Sequence, residues 1–340
     1  MSERAIRCPQ CSAPLAPGRF ARTVTCPFCS ASVQLEAGDV KAAVFREAWR
    51  AWNSPAHHGF EGAVQVGGSA WAVETLLARG DSADVYAARR ARWPTERAIF
   101  KVLRDPRDRP RLESEWRLLQ ELLSGAEPGQ AALAARLPQP IVQGDTDGGG
   151  FGGRPASVFR WASGFVYTFE DVRRAHPGGI EARAAVWVWR RILELLAFLH
   201  GRGYVHAALL PSHLLVEQGE HGVRLVGYGC ADREEAPLRA VVERWEPFYP
   251  ASLLARRRLR RVHDVAMSAR CVLALLGARP DGDDVQAATP APLRELLART
   301  AAGDPAGERD AGAWALRETL GRLGRELFGP PAFCPLTMPR

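Results

Sequence analysis

Apolar positions recur every three to four residues over 181–200, where Val186, Trp189, Ile192, Leu193, Leu196 and Leu199 share one face. That period predicts a long helix with one buried stripe. Residues 111–123 repeat the pattern through Leu112, Trp116, Leu119 and Leu123, with Glu115 on the same face. A third helix is predicted over 40–52, where Val40, Val44, Ala48 and Trp52 recur, Asp39 stands at the N-cap and Asn53-Ser54-Pro55 ends it. Elsewhere the apolar runs are short and strand-like: 63–73 as a hairpin, then 97–103, 156–161, 214–216 and 223–226. The glycine-dense run 145–153 carries no lysine and joins no strand to a helix, so it reads as a hairpin turn and not as a phosphate loop. The mixture predicts an α+β chain.

Composition narrows this. A 46% hydrophobic and 24% charged share is that of an ordinary globular protein. No run approaches the roughly 18 apolar residues of a membrane span. The first eight residues lack the apolar core of a signal peptide, so the expectation is a cytoplasmic protein with no membrane contact. The formal charge of +7 permits an acidic partner without arguing for one. Arg256, Arg257, Arg258, Arg260 and Arg261 form the densest basic run. Such a run is ordinarily a solvated face; contact with nucleic acid or an acidic protein is the alternative. Only Lys41 and Lys101 are lysines and only Asn53 is an asparagine, which looks like the coding bias of a GC-rich bacterial genome. Against that bias a retained lysine draws attention.

Cys8-Pro-Gln-Cys11 and Cys26-Pro-Phe-Cys29 are two C-x-x-C knuckles separated by 14 residues. Each knuckle aims two sulfurs at one point, and two knuckles complete a closed tetrahedral site. The expectation is a structural zinc ribbon over residues 1–35. Arg7, Arg19 and Arg22 on it leave nucleic-acid binding open, while docking is the plainer role. Cys230, Cys271 and Cys334 stand alone and read as ordinary thiols.

The stretch 204–216, Tyr-Val-His-Ala-Ala-Leu-Leu-Pro-Ser-His-Leu-Leu-Val, resembles the catalytic loop of protein kinases, H-R-D-L-x-P-x-N. His206, Leu209 and Pro211 match it. Ala207 stands for the Arg, Ala208 for the catalytic Asp and His213 for the metal-binding Asn. Gly227-Tyr228-Gly229 resembles D-F-G with Gly227 in the place of the metal-binding Asp. Residues 76–86 resemble the glycine-rich loop, keeping Gly80 and Val85 but carrying Ala78 and Ala83 at the other glycine positions. Arg97-Ala-Ile-Phe-Lys101 resembles the strand V-A-I-K, and Glu115 sits where the family's helical Glu pairs with that lysine. Phe248-Tyr-Pro-Ala251 resembles A-P-E, Asp264 the helix Asp that holds the catalytic-loop backbone, and 304–309 the late D-P-x-x-R turn. The set covers about residues 62–328 in the family's order.

The resemblance implies a two-lobed protein-kinase-like fold preceded by a small zinc ribbon. The expected order is ribbon 1–35, linking helix 36–61, small lobe 62–160, large lobe 161–330 and tail 331–340. Phosphoryl transfer needs Mg²⁺ to neutralise developing charge and a base for the substrate hydroxyl. Ala208, His213 and Gly227 remove all three groups; Asp232 and Glu217 are the neighbours that offer replacement carboxylates. The reading is a pseudokinase: a signalling scaffold that binds a protein partner, with ATP as an optional, weak ligand at Gly80, Val85, Lys101 and Glu115 and without Mg²⁺. An atypical ATP-dependent kinase with displaced metal ligands and a zinc-ribbon nucleic-acid adaptor are the alternatives.

Overall fold

The computed structural model describes residues 63–125, 130–217, 222–303 and 312–338 apart from 283, 287, 333 and 335, with short runs at 6–7, 14–15, 23–26 and 32–34. The helix expected over 40–52, the turn at 304–309, and Cys8, Cys11 and Cys29 lie outside the described residues. Two small antiparallel hairpins come first. β1 (Ile6–Arg7) pairs with β2 (Pro14–Leu15), and β3 (Thr23–Thr25) with β4 (Ser32–Gln34).

β5 (Val64–Val66), β6 (Ser69–Arg79), β7 (Ala83–Arg90), β8 (Trp93–Leu103), β9 (Pro140–Asp147) and β10 (Pro155–Arg160) close into an antiparallel barrel. The short β5 closes it, pairing with β6 on one side and placing Gln65 opposite Asp147 on the other. The β5–β6 turn needs glycine at 67, where φ is +51° and a β-carbon would sit 2.3 Å from Val142 Cγ2. Side chains on a strand alternate between faces. In β8, Ala98, Phe100 and Val102 are fully buried inside the barrel, so Lys101 is sent out of the opposite face. The 145–153 run is the β9–β10 hairpin turn. Its Phe151 is pinned against the rings of Tyr86 and Phe100, with centroids 5.6 and 5.3 Å apart.

α1 (Arg109–Ser124) follows a short 3-10 turn whose Asp105 side chain accepts from Arg107 N. It packs on β9 and β10 on one side and on the Tyr228–Cys230 turn on the other. The buried positions are therefore Leu112, Glu115, Leu118, Leu119 and Leu122, whereas Trp116 and Leu123 are only half-buried. The stripe expected from Leu112, Trp116, Leu119 and Leu123 is rotated, because this helix serves two neighbours.

Beyond the short α2 (Ala131–Ala134) lies the helical lobe. α3 (Phe169–Ala175) starts on a reciprocal capping box between Thr168 and Asp171. α4 (Ala182–Gly201) buries all six residues of the expected stripe. α5 (Ala251–Arg256), α6 (Arg261–Leu275), α7 (Ala291–Ala301) and α8 (Ala313–Phe328) complete the lobe. α6 is enclosed on nearly every side, which makes its polar residues informative. The segment read as a tail lies along this lobe: Cys334 and Leu336 are buried, and the His176 ring bonds the Thr337 carbonyl at 2.8 Å. Among the described residues no helix is long and apolar enough to cross a membrane.

Candidate functional site

Asp264 is the pivot. It is 0% exposed in α6, where an unpartnered carboxylate would be prohibitively costly. Three donors satisfy it: His206 N at 2.7 Å, Ala207 N at 2.9 Å and His200 Nε2 at 3.0 Å. Burial pushes its pKa up, but those donors outweigh burial and hold it below the usual value. The two consecutive amide bonds support a strained backbone, since Ala207 has φ +64° without being glycine. The His206 ring is tied at both ends, to Val226 O at 3.1 Å and Ala208 N at 3.3 Å, and stands edge-on to Tyr228 at 4.7 Å. His200 was not singled out in the sequence as a partner. Its place at the end of the α4 stripe was the available signal.

His213 decides what the loop is able to do. Its Nδ1–H donates to Ala208 O at 2.7 Å, which orients the ring. Burial first, with the Lys101 charge adding to it, lowers its pKa against the opposing pull of the Ala208 bond, so the ring is neutral. Gly227 has φ +80°, and a β-carbon built there would lie 2.7 Å from His213 Cδ2 and 2.8 Å from Nε2. The imidazole thus occupies the space that a side chain at residue 227 would need. Residues 213 and 227 are one packing unit: the ring at 213 fits because residue 227 has no side chain. Ala208, where the base would stand, is 1% exposed and brings only a methyl group. Asp232, a candidate replacement ligand, is held by Arg239 at 2.6 Å.

The other half of the frame is assembled. Lys101 Nζ and Glu115 Oε2 are 2.5 Å apart, with Glu115 almost fully enclosed. Glu115 Oε1 also accepts from Tyr228 N at 2.9 Å, so one carboxylate ties β8, α1 and the 227–229 turn together. Val85 lies directly opposite Lys101 in the β7–β8 register. Gly80 is spent on the turn itself: its N–H donates to Ala83 O at 2.8 Å, and a β-carbon there would come within 3.0 Å of that oxygen. That amide is engaged by the turn and not offered to a phosphate. Asp81, exposed at the same turn, is close enough for its charge to raise the pKa of His213 and Tyr249. A negative charge at this position opposes polyphosphate.

The segment after the cleft is ordered by its own charges. Arg233 reaches Glu121 of α1 at 2.6 Å, Tyr204 donates to the same carboxylate, and Arg261 pairs with Glu234 at 2.9 Å. From Gly229 to Pro250 the chain holds no Ser or Thr, and Tyr249 is 2% exposed. The basic run is partly used here too. Arg258 donates to Glu235 O and Arg260 stands 3.9 Å from the Glu235 carboxylate, leaving Arg256 and Arg257 exposed without such a contact.

A pH dependence follows. Burial pulls the His206 pKa down to about 4, against the opposing charge of Asp264. An unfolded histidine titrates near 6.5, so between these values unfolding takes up a proton. The contribution is complete above about pH 6.5 and is lost as pH falls towards 4. Burial lowers His213 and His263 in the same direction. Urea unfolding at pH 7 and pH 5 is expected to differ by about 2 kcal/mol from His206 alone. Equal stability at the two pH values would show that the ring is not held neutral.

No family model and no curated protein sequence matches the chain. Solved structures do. A rhoptry kinase from Toxoplasma gondii superposes with a TM-score of 0.60 at 17% identity, covering 78% of this chain and 84% of that one. The Toxoplasma gondii specific rhoptry antigen kinase domain gives 0.57 at 18% identity, covering 83% and 92%. At such identities the likeness speaks of fold, and the fold is that of a protein kinase.

Proposed function

We propose that this protein is a pseudokinase: a regulatory or scaffolding module of the bacterial cytoplasm that acts by contact with a protein partner. The observation that carries this reading is the His213 ring lying in the side-chain space of residue 227. A metal bridging phosphates needs carboxylate or amide oxygens at those two positions. Here one is a neutral imidazole, the other has no side chain, and the base is replaced by Ala208. The frame of Lys101, Glu115 and Asp264 serves architecture. Any nucleotide contact at Gly80, Val85 and Lys101 is weak and independent of Mg²⁺. Transfer of labelled phosphate from ATP tests the reading; none that depends on Lys101 is expected.

The zinc ribbon belongs to the same proposal. Each C-x-x-C falls in the connection of one hairpin, β1–β2 or β3–β4, and Cys26 is fully buried, which suits a thiolate site. Cys8, Cys11, Cys26 and Cys29 would hold the ion, and its binding would supply the folding energy that so small a piece lacks. Metal analysis of protein purified without chelators is expected to give one zinc per chain. A folded, metal-free ribbon would refute it. The ribbon then serves as a docking piece. Nucleic-acid binding is the weaker reading, since Arg258, Arg260 and Arg261 already contact Glu234 and Glu235.

A further inference from the structure

The seam between α4 and α8 holds a shallow groove open to solvent and lined by none of the cleft residues. Val186, Trp187, Phe328 and Pro331 line it with apolar surface, and Arg183, Arg190 and Arg325 line it with charge. Gly321 and Gly324 of α8 open it, for neither has a side chain to fill the gap. A β-carbon at Gly321 would touch the Arg190 guanidinium at 3.7–3.9 Å, so Arg190 lies across the space that glycine leaves.

Among the described residues no carboxylate forms an ion pair with Arg190 at contact distance. Glu194, one turn on along α4, attracts it through space, but that carboxylate is paired with Arg317 at 3.0 Å, Arg191 at 3.1 Å and Arg136 at 3.7 Å. Among the described residues no oxygen accepts from Arg190, and its Nε is buried without a partner. Its guanidinium stands against a ring, 5.5 Å from the Trp187 centroid. Burial first, then repulsion from Arg317, Arg191 and Arg325, lowers its pKa against the pull of Glu194. A cation kept half-buried among other cations destabilises the free protein, and burial without a counter-charge calls for a reason. Arginine's planar fork is suited to phosphate, and arginine clusters are a recurrent means of recognising it.

We infer that this groove binds a phosphate monoester carried on an apolar or aromatic body, with Arg190 as its principal contact. The phosphate takes the free guanidinium, and the body lies on Trp187 and Phe328. A free small molecule and a phosphotyrosine side chain of a partner share this chemistry.

Calorimetric titration of the full chain with phenyl phosphate tests it, with inorganic phosphate and a phosphotyrosine peptide as the other arms. One site is expected, preferring phenyl phosphate to inorganic phosphate, and Arg190→Gln is expected to raise its Kd about tenfold or more. Without ligand, Arg190→Gln is expected to keep or raise the melting temperature, because it removes a repelled charge. A structural arginine would do the opposite. Arg322→Gln, on the opposite side of α8, is expected to leave affinity unchanged. Tighter binding of the peptide identifies a partner's side chain as the source, and weaker binding a free molecule. Absence of binding at millimolar phenyl phosphate, unchanged affinity in Arg190→Gln, or equal affinity for inorganic phosphate overturns the proposal.

Discussion

Gly227→Asp is expected to cost about 3 kcal/mol of stability, and His213→Asn in the same chain to return most of it. An aspartate at 227 forces a β-carbon to within 2.7 Å of the His213 ring. The ring must then leave its place and give up its bond to the Ala208 carbonyl. A non-glycine residue at φ +80° adds backbone strain, modest for aspartate. Asparagine at 213 is smaller than histidine and keeps a donor for the carbonyl, so the pair of substitutions should be far milder than the sum of the two. Thermal or urea unfolding of the two single variants and the double variant measures the coupling directly. If Gly227→Asp alone is as stable as the parent, the ring does not occupy that space.

Asp264→Ala is expected to be the most damaging single change, at about 4 kcal/mol. It removes a buried carboxylate and leaves the His206 amide, the Ala207 amide and His200 Nε2 without an acceptor. It also releases the support for the left-handed Ala207, so the loop from Tyr204 to His213 loses its shape as well as its bonds. Asp264→Asn keeps one acceptor oxygen and should fall between the two. Urea denaturation decides; a loss below about 1 kcal/mol would mean the carboxylate is not the loop's anchor. The severity is itself part of the functional reading. A loop with alanine at 208 would then still depend on the residue that shapes it, as the proposed scaffolding role requires.

Much of this frame was readable in the residues. Lys101 stood out because arginine replaces lysine almost everywhere else, and Glu115 because helical period put it on a buried face. Both meet in the structure at 2.5 Å. The α4 stripe was equally plain, since that helix buries one regular face against one core. Other features rest on contacts that periodicity does not encode. Barrel closure depends on Gln65 finding Asp147, far along the chain. The rotated face of α1 follows from its second neighbour, the Tyr228–Cys230 turn, which a single-stripe reading ignores. The substitutions at His213 and Gly227 looked like two separate losses. Only the backbone path that brings residue 227 against the ring shows that they fill one volume. Gly80, which matched a phosphate-loop glycine, proves to be needed for a tight turn.

The central claim is that this cleft keeps a kinase's architecture and transfers no phosphate. Incorporation of labelled phosphate from ATP, with Mg²⁺ or Mn²⁺, into the protein itself and a generic acceptor tests it most directly. The preparation must be free of other kinases, and Lys101→Ala serves as the matched control. The account predicts the same background signal from both proteins with either metal. Incorporation by the parent that disappears in Lys101→Ala would contradict it.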